Sequence, residues 1–364
     1  MAADRHVLVA GASGLVGRAL VEHFACRGWQ VTAVSRRPPI ADYGARFVSV
    51  DLDDPDACRA AFTGAGITHV AFAALHEEPQ LVEGWLQESQ IERNRAMLAN
   101  VMEAVDAGGS ALEHVVIVQG PKAYGVHVGA MPMPAREGRH ERRDVPNFYW
   151  AQEDYLKERQ PGRPWSWTVL RPGLVIGEAV GAAMNLIGAI GVYAALQRER
   201  GEPLHYPGHH DLIAQPTDTD LMAAAFEWCF ESPAADNEIF NVTDGDMMSL
   251  QALWPVVAQT LGMEPGEQRP IHFVETLGNC GAEWDAVRER HALKAPELDS
   301  FIGKSFQFAD FCLTLGGENV GPPSVMSTVK IRKAGFDEYL DGEEMVRKWF
   351  RRYQADGLLP PGRE

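Results

Sequence analysis

Short apolar runs rich in β-branched residues alternate with longer amphipathic stretches through the first 120 residues. HVLVA (6–10), QVTAV (30–34), RFVSV (46–50), HVAFAA (69–74) and HVVIV (114–118) have the length and composition of buried strands. Between them, LVGRALVEHFACRG (15–28), DPDACRAAF (54–62) and a long stretch near 80–107 carry helical spacing. A further strand, WTVLRPG (167–173), follows a helix that begins near Tyr149. Alternation of this kind builds a parallel sheet with right-handed crossovers and helices on both faces, an α/β doubly wound fold.

Beyond about residue 175 the pattern loosens, and Pro203, Pro207, Pro216, Pro265, Pro270 and Pro296 interrupt the helical segments. We therefore expect a sheet domain over 1–175 and a smaller, mostly helical C-terminal lobe over 176–364, with some segments returning to the first core. Ligands of open α/β sheets bind at the C-terminal ends of the strands, so the lobe is expected on the substrate side. A chain of 364 residues, 46% of them hydrophobic, can bury such a core.

Its net charge of −17 argues against nucleic acid or a membrane surface as a general partner, since both are polyanions. The basic run between Arg136 and Arg143 is then expected to be a solvated face. The five cysteines are widely spaced and form no CxxC pair, which indicates neither a disulfide framework nor a zinc site and fits a reducing cytosol. No basic-then-apolar signal precedes the first strand. The most apolar stretch (181–196) falls short of the roughly 20 residues that cross a bilayer and is expected to be a buried helix.

VLVAGASGLVGRAL places Gly11, Gly14 and Gly17 between the first strand and the first helix. Glycines at this turn let the backbone approach a pyrophosphate, and the helix offers its positive end to the phosphates. This is the Rossmann-type arrangement, and Ser13, Leu15 and Val16 share its contour. After the second strand stands Ser35-Arg36-Arg37, with no acid before Asp42. Two guanidiniums suit a ribose 2′-phosphate, whereas NAD users commonly place a carboxylate there, so NADP(H) is expected. Asp51 and Leu52 are expected at the adenine, and Ala73 and Ala74 along the cofactor backbone. Pro172 and Gly173 are expected to border the nicotinamide, and Gln119 and Val175 to contribute to cofactor binding.

NFYWAQED (147–154) holds a tyrosine with the wrong partner. Short-chain dehydrogenases carry a lysine four residues after the catalytic tyrosine, but Tyr149 is followed at that spacing by Glu153. A phenol of ordinary pKa about 10 needs a cation nearby to serve an alkoxide or enolate. QGPKAYG (119–125) offers one. Gly120-Pro121 stand where related dehydrogenases keep a serine or threonine, and Lys122 follows at the end of the fifth strand. Glu153 is then expected to turn outward or to cap local structure.

With these stretches, GASGLVG (11–17), SRRP (35–38), RPGLVIG (171–177), MNLIGAIGVYAA (184–195) and FNVTDGD (240–246), the chain resembles the progesterone 5β-reductase/iridoid synthase-like group of atypical extended short-chain dehydrogenases. The resemblance covers roughly residues 5–355 and implies Tyr149 and Lys122 as the catalytic pair. It also implies NADPH-dependent 1,4-reduction of enones or enals. Trp150, Met184, Asn185 and Trp284 are candidates for an apolar substrate pocket, although core packing suits each equally. The chain departs from the family at Gly181-Ala182-Ala183 and in the loop 316–326, so steroid specificity does not carry over.

Tyr124 is a rival acid, Asn94 resembles a helix asparagine of the wider superfamily, and HYPGHH (205–210) reads as a surface loop rather than a metal site. Two rival functions stand beside enone reduction: 1,2-reduction of a carbonyl by the same pair, and a non-catalytic NADP-sensing protein. The partner expected is a small apolar enone or carbonyl compound, and a homodimer is compatible with the class.

Overall fold

β-Branched runs pair into one sheet, and their alternation assigns each side chain to one of two faces. A computed structural model describes residues 5–39, 41, 43–107, 109, 111–313 and 323–362. Asp42 and most of the loop 316–326 lie outside the described residues. The strands are His6–Ala10 (β1), Gln30–Ser35 (β2), Arg46–Ser49 (β3), His69–Phe72 (β4), His114–Val118 (β5) and Ser166–Pro172 (β6). The helices between them are Leu15–Cys26 (α1), Pro55–Phe62 (α2), Leu81–Gly84 (α3), Glu88–Ala107 (α4) and Phe148–Arg159 (α5).

All pairings of this seven-stranded sheet are parallel, in the order edge strand, β6, β5, β4, β1, β2, β3. The edge strand, Glu238–Val242, is a seventh member that the hydropathy pattern does not announce. Its apolar content is only a few residues, bracketed by polar ones. Val7, Val9, Ala71 and Val116 face α1 and the helix Thr219–Glu231, while Leu8, Ala10, Val70 and Val115 face α2, α4 and α5. The two-residue period of a strand produces this division.

The helical stretch near 80–107 is two helices, not one. At Gly84 a Cβ would lie 2.6 Å from Glu78 Cβ. Gln87 N–H donates back to Gly84 O at 3.0 Å, so the chain turns before α4 begins and leaves Trp85 in the break.

The chain divides into two compact units. The first is Met1–Gly173 with Thr219–Val242 and Met326–Glu338; the second is Leu174–Asp218 with Thr243–Val325 and Tyr339–Glu364. The second unit has its own core around the helix Leu186–Glu199, which is buried along most of its length. Asn185 caps that helix: its Oδ1 accepts from Gly188 N–H at 3.0 Å, and its Nδ2 donates to Tyr353 Oη at 2.7 Å. Trp284 is fully buried, stacks on Phe301 at 5.4 Å and donates to Pro296 O at 3.0 Å. Met184, half-buried, and Val175, in the short strand Leu174–Ile176, belong to the same unit.

The HYPGHH stretch is only partly a surface loop. His205 and Tyr206 are buried in the strand Leu204–Tyr206, and Tyr206 Oη closes the turn by donating to His210 O at 2.9 Å. Among the described residues no group of three His, Cys, Asp or Glu side chains could hold a metal, and no helix is long and apolar enough to cross a membrane. The five cysteines are free.

His69 and His114 open adjacent strands, and burial lowers both imidazoles to about 4. Below the ordinary value of about 6.5 an unfolded chain takes up protons that these folded histidines refuse, so stability falls as pH drops from about 6.5 to 4. His69 packs edge-on against Trp29 at 4.9 Å and Phe230 at 4.7 Å. His69→Phe should therefore flatten the decline of Tm across that window, as measured by thermal melts from pH 7 to 4. An unchanged slope would contradict this origin.

Candidate active site

The segments that leave β4, β5 and β6 start side by side. Phe72 pairs with Ile117 and Val118 with Leu170, and Gln119 N–H extends the ladder to Leu170 O at 2.9 Å. Beyond β5 the chain tightens into a 3-10 turn, Pro121–Tyr124, which buries Lys122. α5 begins opposite, and its cap Asn147 accepts from Tyr149 N–H at 3.1 Å, fixing the first turn that carries the phenol.

Gly120 and Tyr149 meet directly. A Cβ at Gly120 would stand 3.2 Å from Tyr149 Oη, so the missing side chain makes room for the phenol hydroxyl. Lys122 Nζ lies 5.6 Å from the Tyr149 ring centre, 5.5 Å from that of Phe148 and 4.3 Å from that of Trp85. Its nearest charge is Glu77, with Oε1 at 3.9 Å. Lys122 Nζ makes no hydrogen bond among the described residues. The ammonium is thus charge-balanced yet keeps its donors unspent.

Burial lowers the Lys122 pKa, and Glu77 opposes that by favouring the charged form. Burial raises the Tyr149 phenol above its ordinary value; Glu77 adds to the rise and Arg171 opposes it. At neutral pH the phenol is therefore a protonated donor. His127 stands edge-on to Trp85 at 6.1 Å, its imidazole lowered to about 4 by burial, then by Lys122 and Arg142.

Glu153 does not turn outward. It is buried and bound by four partners: Lys157 Nζ at 2.6 Å, Arg143 at 2.8 Å, Gln119 Nε2 at 3.2 Å and Arg171 at 3.4 Å. Burial alone would raise its pKa, but these cations outweigh it and the net direction is down. Arg171, fully buried at the end of β6, donates to Gln119 Oε1 at 2.8 Å, Tyr124 Oη at 3.1 Å and Glu141 at 2.8 Å. A buried guanidinium demands carboxylates, and Glu153 is one of them. This also corrects the expected solvated face: Arg143 reaches from that run into the cluster, and it lies 4.9 Å from the Trp150 ring.

The rival acid Tyr124 is committed elsewhere. Its hydroxyl donates to Asn241 Oδ1 at 2.6 Å, and burial pushes its pKa up to about 12. Asn94 clamps backbone, accepting from His76 N–H at 2.8 Å and donating to His76 O at 2.9 Å.

At the glycine turn, Gly11 has φ +87, and a Cβ there would strike Ala73 O at 2.7 Å. One at Gly17 would strike Gly11 O at 2.0 Å, so α1 packs on β1 only without it. α1 starts at Leu15 behind the cap residue Gly14, which supplies no side-chain bond, and Ser13 and Val16 are half-buried beside it. Its N–H groups are left for an anion. Arg36 and Arg37 are exposed past β2, where Ser35 Oγ donates to Arg37 O at 2.5 Å. Asp51 is exposed and accepts from Asp53 N–H at 3.2 Å, while Leu52 is buried. Gln119 is spent inside the Arg171 cluster, Pro172 is buried, and Gly173 is half-buried at the end of the unit.

A glycine turn under an uncapped helix, with a phenol and an ammonium at neighbouring strand ends, defines a dinucleotide-binding Rossmann protein. The PRISE-like Rossmann-fold domain matches residues 67–339, and the chain belongs to that family. It is 29% identical to an (S)-8-oxocitronellyl enol synthase of Nepeta racemosa, over 97% of this chain and 92% of that one. It is 27% identical to a 3-oxo-Delta(4,5)-steroid 5-beta-reductase of Arabidopsis thaliana, over the same shares. Among solved structures, UDP-glucose 4-epimerase of Thermus thermophilus, in complex with NAD, shares the fold with a TM-score of 0.63. That pair is 19% identical and covers 96% of this chain and 99% of the other.

Glu77, Trp85, His127 and Arg171 escaped the sequence reading. Glu77 had one usable signal: it follows the end of the central strand β4, where ligand-side groups of such sheets gather. The buried cluster also sets the outcome of Glu153→Lys. A fourth cation beside Arg143, Lys157 and Arg171 should cost about 3–5 kcal/mol, the range for breaking a buried ion pair. Denaturant unfolding checks this, and a variant as stable as the parent would contradict the cluster.

Proposed function

We propose that this chain reduces the activated carbon–carbon double bond of an enone or enal with NADPH, Tyr149 and Lys122 holding the developing oxyanion. The observation that carries the reading is the buried Lys122 ammonium, without a hydrogen-bond acceptor among the described residues, facing the Tyr149 ring at 5.6 Å. Family membership supports it, as do the relatives named for enol synthesis and for reduction of a 3-oxo-Δ4,5-steroid.

The residues fit a dinucleotide. The side-chain-free Gly11 and Gly17 let the turn pack tightly on Ala73 and on itself ahead of α1, whose N-terminus has no side-chain cap, and two exposed arginines follow β2. Gly11, Gly14, Gly17, Ser13, Leu15 and Val16 would hold the pyrophosphate, Ser35, Arg36 and Arg37 the 2′-phosphate, and Asp51 with Leu52 the adenine. Ala73 and Ala74 would border the cofactor backbone, and Pro172 and Gly173 the nicotinamide. We assign this cofactor role to the first unit and a substrate-binding role to the second. When bound, the nicotinamide supplies a hydride to the β-carbon of the substrate.

As the double-bond electrons move onto the carbonyl oxygen, Tyr149 donates its hydroxyl hydrogen bond to the forming enolate. Lys122 adds positive charge in a low-dielectric setting, where it counts most. Solvent then protonates the α-carbon, so no lysine on α5 is needed to relay a proton. The site Glu153 occupies is free to serve Arg171 instead.

Tyr149→Phe should lower turnover of an unhindered cyclic enone by about 10²-fold or more, the usual loss for one oxyanion donor, with NADPH binding nearly unchanged. Lys122→Ala should do likewise. Initial rates from NADPH absorbance together with cofactor titrations check both, and full turnover in both variants would sink the pairing. Replacing Arg36 and Arg37 together by Ala should weaken NADPH by about 10- to 100-fold while leaving NADH nearly unaffected, as loss of charge-assisted bonds predicts. Equal affinity of the parent for both cofactors would refute the NADPH assignment.

A further inference from the structure

We propose that Glu77 and Trp85 are positioning residues of this site, which together keep Lys122 an ammonium whose N–H donors remain free for a substrate oxygen. The inference deepens the reading above and rests on it for the identity of the oxygen.

A lysine removed from water loses its charge unless something compensates. An ordinary buried ion pair would solve this by direct hydrogen bonds, at the cost of occupying the donors. Here the compensation comes from two groups that leave the donors open. Glu77 Oε1 stands 3.9 Å away, close enough for strong Coulomb attraction and too far for a hydrogen bond. Its carboxylate is itself pinned, because Oε2 accepts from Gln90 Nε2 at 2.7 Å on the buried face of α4. Trp85 presents its ring face 4.3 Å from Nζ, and a ring face stabilises a cation without accepting a directed N–H bond of normal strength. The ion pair is barely accessible: the side chain of Glu77 is 4% exposed and that of Lys122 8%.

The local fold explains how they arrive. Gly84 lets the chain pass against Glu78, the turn after α3 throws Trp85 inward, and Gln90 Oε1 accepts from Glu78 N–H at 3.1 Å. The segment 77–85 is thereby a bracket around one ammonium, tied to α4 through Gln90. Other charged or titratable groups face the pair from each packed element. Tyr149 comes from α5, and His127 from the chain just after the turn; His76 and Glu78 flank Glu77 on its own segment. Arg171 acts on Tyr149, Arg142 on His127, and Arg93 lies 3.4 Å from His76. Of these, only Glu77 lies within ion-pair distance of Lys122 among the contacts described. Glu77 also opposes ionisation of Tyr149, so one carboxylate keeps the ammonium charged and the phenol protonated.

The test uses the full chain labelled with 13C at lysine Cε and followed by NMR across pH, with the Lys122 signal assigned by its loss in Lys122→Arg. Glu77→Gln keeps the shape and the acceptor for Gln90 but removes the charge. Its Lys122 midpoint should move at least about one pH unit toward acid. Trp85→Leu should move it in the same direction by less, which keeps a second variant available if the first folds poorly. In the same variants the alkaline limb of kcat/KM for enone reduction should move to lower pH. An unmoved Lys122 midpoint in Glu77→Gln, or in Trp85→Leu if only that variant folds, overturns the inference. If the midpoints move as expected in a chain that reduces no enone, the charge bracket stands and the enone reading fails.

Discussion

A guanidinium with no solvent exposure has to be neutralised where it stands, and Arg171 at the end of β6 imposes that demand on everything around it. Gln119 from the end of β5, Tyr124 from the following turn, Glu141 from the next loop and Glu153 from α5 all converge on it. Through these bonds one side chain sets the spacing between the turn that holds Lys122 and the helix that holds Tyr149. Arg143 and Lys157 then balance Glu153 from its other side. The carboxylate that replaces the usual lysine on the tyrosine helix is thus a structural requirement of this cluster and not a loss in the reacting centre.

Charge at the site falls into two groups with different purposes. The Arg171 group is saturated with hydrogen bonds and serves architecture. The Lys122 group is balanced by Glu77 and Trp85, yet its ammonium has no hydrogen-bond acceptor among the described residues. Saturation gives rigidity, while an unspent donor in a low-dielectric surround gives binding strength to an incoming oxyanion. Gly120 belongs to the second group by subtraction, since the absent Cβ gives the Tyr149 hydroxyl its room.

Much of this was legible in the chain itself. Strands β1–β6 are short, apolar and separated by clear helical segments, so local pattern sufficed to place them. Gly11 and Gly17 were legible because close backbone approach excludes every other residue. The approach of Lys122 to Tyr149 was legible from a paired departure, a hydroxyl missing from one loop and a lysine missing from one helix. The edge strand Glu238–Val242 was not, because its pairing with β6 is non-local and its own sequence is half polar. Glu153 was misread for a related reason: Lys157 stands at i,i+4 on its own helix, but Arg143, Gln119 and Arg171 come from three separate segments, and no local spacing records them. Glu77 and Trp85 sit in a loop whose break at Gly84 is a packing effect, invisible to helical periodicity.

In the proposed reaction, hydride reaches the carbon conjugate to the carbonyl while Tyr149 and Lys122 hold the oxygen. The most direct measurement is the position of the label when the protein reduces an unhindered cyclic enone with NADPH deuterated at the transferred hydrogen. The expected product is a saturated ketone with deuterium on the β-carbon and a solvent-derived hydrogen on the α-carbon. An allylic alcohol carrying deuterium on its carbinol carbon would contradict the claim.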